Sequence, residues 1–210
     1  MSILVTAATE AEMMPFSNRF PEAEILITGV GAYACSFELT KVLLKKKYSQ
    51  VIQVGIAGAN DESKTGQAFL VTKDCFADVG VWEKENRYSV FDMGFAESDT
   101  PPFENGWIVN HHPVLMNSKY SLATAISVNT ITDREDWNQL MKQKYGAELE
   151  SMEGAAFHFV CQKLQVPYLQ IRGVSNRIGE RDKSKWKISE AINNSCELLA
   201  NIYQQLKKEL

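Results

Sequence analysis

The stretch "ELESMEGAAFHFVCQKLQVPYLQIRGVSN", Glu148–Asn176, holds two changes of periodicity within thirty residues. "AELESM", Ala147–Met152, reads as a short strand. Met152–Leu164 reads as a helix, with Ala155, Ala156, Phe159 and Val160 at helical spacing. Val166–Ser175 is then an apolar run with no alternation, the pattern of a strand covered on both faces. It opens abruptly into "SNRIGERD", polar and glycine-containing, with Asn176 at its start. An asparagine at a strand end can cap a turn or face a ligand.

Working outward, the amino-terminal part repeats the alternation. "ILVTA" (Ile3–Ala7), Glu24–Thr28 and Val51–Gly58 read as strands, and Ala32–Lys46 reads as a helix between the last two. The centre differs: Gln67–Phe95 reads as strand, turn, strand, with Glu83–Asn86 as the turn region. Ser98–Gly106 reads as a loop, "SLATAISVNT" as a strand, and Asp133–Lys144 as a helix. From Lys183 to Leu210, Ile188, Ile192, Leu199, Ile202 and Leu206 form a helical stripe, suited to packing on a core. Alternating units at both ends with hairpin material between predict an α/β fold, three layers α/β/α around a mixed central sheet.

The chain has 210 residues, which predicts a single domain over 1–210 with a sizeable core. It is 45% apolar and 23% charged, with a net charge of −4. That balance disfavours nucleic acid as a partner. No run is long and apolar enough to cross a membrane, and the first residues lack the basic region of a signal peptide. Cys35, Cys75, Cys161 and Cys196 are widely spaced, with no C-x-x-C pair, so reduced thiols in the cytoplasm are expected. His111 and His112 are adjacent, and neighbours on a strand point to opposite faces, so no metal site is expected.

Three places could carry chemistry. "GVGAYA" (Gly29–Ala34) fits a dinucleotide-binding turn, but it follows the second strand. The next strand ends in glycines where a dinucleotide site needs an acid, so no such cofactor is expected. Glu10 and Glu12 follow the first strand. They read either as a first-turn charge favoured by the helix dipole or as carboxylates at a strand's carboxyl end, where ligands bind. Glu153, beside Gly154, Ala155 and Ala156, sits where close backbone packing would bury it, and a buried carboxylate needs partners.

Together, "VTAATEAEM", "TGVGAYA", "VIQVGIAGA", "LESMEGAAF" and "VPYLQIRGVSN" resemble the purine nucleoside phosphorylase and nucleosidase superfamily, in its order and at its spacing. "SMEGAA" followed by "IRGVSN" resembles its M-E-x-x-A and R-x-x-S-[DN] pair. "FADVGV", "FDMGF" and "SNRIGERD" with Trp186 are most similar to hydrolases of an inosine-like nucleoside carrying an aromatic 5′ group. The resemblance implies a nucleoside phosphorylase-like fold, a small nucleoside substrate, no cofactor, and a homo-oligomer, dimer or larger. It implies Glu12 as the carboxylate that activates water and Asn176 as the residue that contacts the departing purine. It implies Met152 and Glu153 as the ribose-binding pair, with Ile56, Ala57, Gly58 and Arg172 as further substrate contacts.

Phosphorylases of the superfamily carry an R-V-G-S segment that holds phosphate; here the segment is "QVGI", with Gln53 and Ile56 in place of its arginine and serine. A phosphate dianion needs charged or N–H donors, so water is the expected nucleophile. Adenine-cleaving relatives carry aspartic acid at the position of Asn176. An asparagine accepts from a ring N–H and donates to a carbonyl, which favours a 6-oxopurine. An adenine nucleosidase, a phosphorylase and a silent nucleoside-binding module are the alternatives. Arg172, Arg177 or Arg181 could pair with a substrate carboxylate. Phe69, Trp82 and Phe95 could wall the site, although core packing is expected for each.

Overall fold

The computed structural model describes residues 2–84, 86–116 and 119–209. In chain order the elements are β1 (Ile3–Ala7), α1 (Glu10–Arg19), β2 (Glu24–Ile27), α2 (Ala32–Leu43), β3 (Gln50–Ala59), β4 (Ala68–Asp74), β5 (Gly80–Glu83) and β6 (Asn86–Ser89). There follow β7 (Ile108–Val109), α3 (Pro113–Met116), β8 (Leu122–Ser127), α4 (Glu135–Tyr145), β9 (Leu149–Ser151), α5 (Gly154–Lys163), β10 (Tyr168–Arg177) and α6 (Ile188–Glu209).

The main sheet has eight strands in the path β10-β4-β8-β9-β3-β1-β2, with β7 beside β4. Because β10 also pairs with β3, the strands β3, β10, β4, β8 and β9 close into a ring. The β1, β2, β3 and β10 pairings are parallel, while β10–β4 and β3–β9 are antiparallel. This is the expected mixed sheet. The hairpin β5–β6 stands apart as a two-stranded sheet. Its connection includes residue 85, so the expected turn at Glu83–Asn86 lies partly outside the described residues; the carboxyl-terminal Leu210 also lies outside them.

Strand alternation sorts side chains into layers. Ile3, Val5, Ile52, Val54, Leu169 and Ile171 pack with Met13 and Phe16 of α1 and with Leu199, Ile202 and Leu206 of α6. Leu4, Val51 and Tyr168 face the opposite way, against Cys35 and Leu39 of α2 and Phe157 and Val160 of α5. Ala57, Phe69, Val71, Ala123, Leu149 and Val174 come from all five ring strands and form one further cluster. The expected stripe on the last helix is confirmed as the packing face of α6.

Three departures bear on the site. The segment after β1 is a full helix, α1, with Pro15 inside it. Helix α5 begins at Gly154, two residues later than expected, so Met152 and Glu153 lie in its entry turn. Strand β10 runs to Arg177 with a register shift between Val174 and Asn176. Such a bulge re-aims the side chains that follow it.

Candidate active site

One cavity of about 290 Å³ lies where β3, β9 and β10 end near α1 and the entry of α5. Its wall includes Glu12, Ile56, Ala57, Gly58, Met152, Glu153 and Asn176. Seven of the eight positions singled out from the sequence thus share one space. Half-exposed Val30, Ile131 and Ile188 also line it and mark its rim.

Glu12 is held from three directions. The Thr9 hydroxyl accepts from the Glu12 amide at 3.3 Å, while Glu12 Oε2 accepts from the Thr9 amide at 3.1 Å and the Thr9 hydroxyl at 2.8 Å. This capping box starts α1. Oε1 accepts from the Ile56 amide at 3.0 Å. Glu12 is therefore both a first-turn glutamate and a carboxylate at the strand ends. Each of its oxygens can still take another donor, since an ionised carboxylate offers about four accepting positions. A β-carbon at Gly55 would lie 2.9 Å from Oε1 and 2.4 Å from Arg172 Nη1, which explains the glycine in "QVGI".

Glu153 is buried. Its Oε1 accepts from the Gly31 amide at 2.9 Å, and its Oε2 lies 3.7 Å from Arg172 Nη2. Gly31 has φ +96°, a backbone that favours glycine. The "GVGAYA" turn thus presents an amide to a protein carboxylate. Gly154 is equally constrained: a β-carbon there would lie 2.0 Å from Asp74 Oδ2 and 2.2 Å from Gln170 Nε2. Asp74 accepts from Ser127 at 3.0 Å and from Gln170 at 3.2 Å, and burial pushes its carboxyl up to about 6.

Arg172 departs from the expectation for it. It is not among the wall residues and is 1% exposed, with Nη2 donating to Gln53 Oε1 at 2.8 Å. It backs Glu153 instead of meeting a ligand, because its strand position faces the α2 and α5 layer. Gln53 likewise faces that layer and not the cavity. Arg177 lines a neighbouring polar groove that shares Asn176, and Arg181 stacks on Trp186 at 5.4 Å.

Asn176 stands opposite Gly58 across the β10–β3 pairing. Its Nδ2 donates to the Arg177 carbonyl at 2.8 Å, and its Oδ1 accepts from the Ser175 hydroxyl at 2.7 Å. Those partners define which way the amide points and leave one hydrogen and one lone pair for a ligand.

The aromatic expectations fare unevenly. Phe69 is in the ring cluster, as core packing requires. Trp82 and Phe95 are 47% and 79% exposed, so core packing is wrong for both, and neither lines the cavity. The hairpin β5–β6 carries Trp82 out against Trp137. The wall tryptophan is Trp186, whose signal in the sequence is its place after "SNRIGERD". Glu150 also lines the cavity and had no assigned role; its spacing of three from Glu153 was the available signal. Among the described residues, the wall contains no Lys, Arg or His.

This fold and this apolar cavity with a few convergent polar groups are those of a nucleoside-handling enzyme, and comparison with known proteins agrees. The chain belongs to the phosphorylase superfamily, whose family model matches residues 19–206. It is similar to the futalosine hydrolase of Acidothermus cellulolyticus, 29% identical over 81% of this chain and 70% of that protein. It is also similar to the 5′-methylthioadenosine/S-adenosylhomocysteine nucleosidase of Buchnera aphidicola, 25% identical over 86% of this chain and 73% of that one. Among solved structures, the futalosine hydrolase of Helicobacter pylori shares the fold with a TM-score of 0.79, covering 98% of both chains at 16% identity.

Proposed function

We propose that the chain, acting as one nucleosidase domain over residues 1–210, hydrolyses the N-glycosidic bond of futalosine. The products are hypoxanthine and dehypoxanthine futalosine, and the step belongs to menaquinone biosynthesis in the cytoplasm. The observation that carries this reading is the composition of the cavity wall. It holds Glu12, Met152, Glu153 and Asn176 around one space and, among the described residues, no cationic side chain. A phosphate dianion would find no cationic partner there, whereas water needs only an acceptor.

The chemistry follows from these positions. Cleavage passes through an oxocarbenium-like ribosyl cation. Glu153 accepts from the sugar hydroxyls, and these hydrogen bonds strengthen as positive charge develops. Glu12 takes a proton from the attacking water. Asn176 donates its free N–H to the purine carbonyl and accepts from a ring N–H, the pattern of hypoxanthine and not of adenine. A cavity of about 290 Å³ suits a nucleoside. Val30 at the cavity and Tyr33 and Phe37 on α2 are all about half exposed or more, and these apolar side chains support a homo-oligomer as the working form. No cofactor or metal has a part in this scheme. No helix among the described residues is long and apolar enough to cross a membrane.

The test is a product analysis with futalosine, inosine and methylthioadenosine, each with and without phosphate. Hypoxanthine and a free sugar derivative should appear regardless of phosphate. Adenine release alone would favour the nucleosidase alternative, and a sugar phosphate would favour phosphorolysis. Glu12→Gln should lower kcat by about 10² to 10⁴ while leaving substrate affinity near normal. A near-normal rate would remove Glu12 from the chemistry.

A further inference from the structure

The proposed reaction leaves one proton unassigned. When the C1′–N9 bond breaks, its electron pair goes to the purine, which must gain a proton to leave as neutral hypoxanthine. Asn176 can hydrogen-bond that base, but an amide gives up no proton at neutral pH. Glu12 is occupied in taking a proton from water.

Glu150 is placed to supply it. It lies on β9, opposite Gly58 of β3, while Asn176 of β10 lies opposite the same Gly58 from the other side. Gly58 carries no side chain between the two, Ile178 lies over it, and all three residues line the cavity. Glu150 is 6% exposed, and among the described residues its carboxyl has no hydrogen-bond donor and no ion-pair partner.

The charged groups nearby are of one sign. Asp78, after β4, is the charge that acts on it, and Glu12 of α1 and Glu153 before α5 share its cavity wall. Ile126 of β8 and Gly58, its partners in the sheet, bring no charge. Lys64 is paired with Glu148, and Arg172 is engaged by Gln53 and Glu153. Burial, with the Asp78 charge, pushes the Glu150 carboxyl up to about 7, so it can carry a proton near neutral pH.

We propose, resting on the nucleosidase reading, that Glu150 is the proton donor to the departing purine. The balance is complete: C1′–N9 breaks, its electron pair enters the imidazole ring, and the Glu150 proton goes to a ring nitrogen. Water adds to C1′ and gives its proton to Glu12. Between turnovers Glu12 releases its proton to solvent, and solvent returns one to Glu150.

The experiment compares two leaving groups. Inosine and futalosine lose a base that must be protonated, while 4-nitrophenyl β-D-ribofuranoside loses a stable anion. Glu150→Gln should lower kcat on the nucleosides by about 10² to 10⁴ and change the nitrophenyl riboside rate less than about threefold. Glu150→Asp, which keeps an acid, should recover part of the loss. The wild-type kcat on nucleosides should fall as pH rises through about 7, and that limb should vanish in Glu150→Gln.

Equal loss on both substrate types, or an unchanged alkaline limb, overturns the proton-donor role while leaving the hydrolase reading intact. A wild type that cleaves no 6-oxopurine nucleoside overturns both. A folded Glu150→Gln protein, checked by its melting curve, with wild-type rates on inosine overturns the inference alone.

Discussion

Glu150 and Glu153 are three residues apart in one strand-to-helix turn, both are nearly buried, and both line the same cavity. Their surroundings are opposite. Glu153 accepts from a backbone amide and has a buried guanidinium behind it. The Glu150 carboxyl has no hydrogen-bond donor among the described residues, and the charge that acts on it is that of Asp78. The difference teaches that burial alone does not define a carboxyl's role. A carboxylate anchored by an amide and a guanidinium has a fixed orientation, suited to accepting from sugar hydroxyls. One without them is suited to carrying a proton. The two glutamates of one wall thus differ in their partners, although they are three residues apart.

Breaking the supported end should cost most. Glu153→Ala leaves the Gly31 amide and the Arg172 guanidinium without their carboxylate inside the protein. Uncompensated buried charge typically costs about 3–5 kcal/mol, so the melting temperature should drop by roughly 10 °C. Nucleoside cleavage should be lost as well. Glu153→Gln keeps the shape and an acceptor for Gly31, so it should recover most of the stability but little of the activity. Comparable melting curves for wild type and Glu153→Ala would show that the turn is held without the carboxylate.

A second change sharpens the contrast at the other end. Asn176→Asp sets a second carboxyl opposite Glu150 across Gly58. It also exchanges a fixed donor–acceptor pair for a group that can share one proton with its neighbour. The rate of hypoxanthine release should fall by about 10²-fold, and adenine release should rise relative to it. Comparing kcat/KM for inosine and methylthioadenosine in both proteins measures this. An unchanged ratio would make Asn176 a structural residue of the bulge.

This contrast was only partly legible in the sequence. The layers were, because apolar runs and helical stripes follow from which faces are covered, and β1, β3, α5 and β10 fell close to where periodicity put them. The positions that line the cavity were found through ordered motifs, since no single spacing brings α1, β3 and β10 together. Only the first turn of α1 is legible at Glu10 and Glu12, because Pro15 argues against a longer helix, although Thr9 and Glu12 hold the spacing of a capping box. Arg172 was misplaced because its face depends on the sheet's two layers, which an unbroken apolar run does not reveal. Glu150 was passed over because burial of one glutamate and support of another depend on long-range neighbours such as Asp78 and Gly31. Trp82 and Phe95 looked like core residues by type, but the hairpin carries Trp82 to the surface, and Phe95 follows in an exposed loop.

The smallest expected effect concerns stability and tests the same contrast without substrate. The Glu150 carboxyl is pushed from 4.5 up to about 7 in the folded protein. A raised folded value means that the neutral acid's favourable contribution is complete below 4.5 and is lost as pH rises through about 7. Glu150→Gln removes the ionisation, so it should match the wild type near pH 4.5 and exceed it at pH 8. The gain should be on the order of 2 kcal/mol, less than the full shift implies because cavity water screens the charge. Urea titrations at the two pH values measure it, and a variant less stable than wild type at pH 8 would mean that the ionised carboxylate has a stabilising partner. A gain in stability with a loss of nucleoside cleavage would set Glu150 apart from a packing residue. Removing a packing residue lowers stability, whereas removing a group kept against its burial cost raises it.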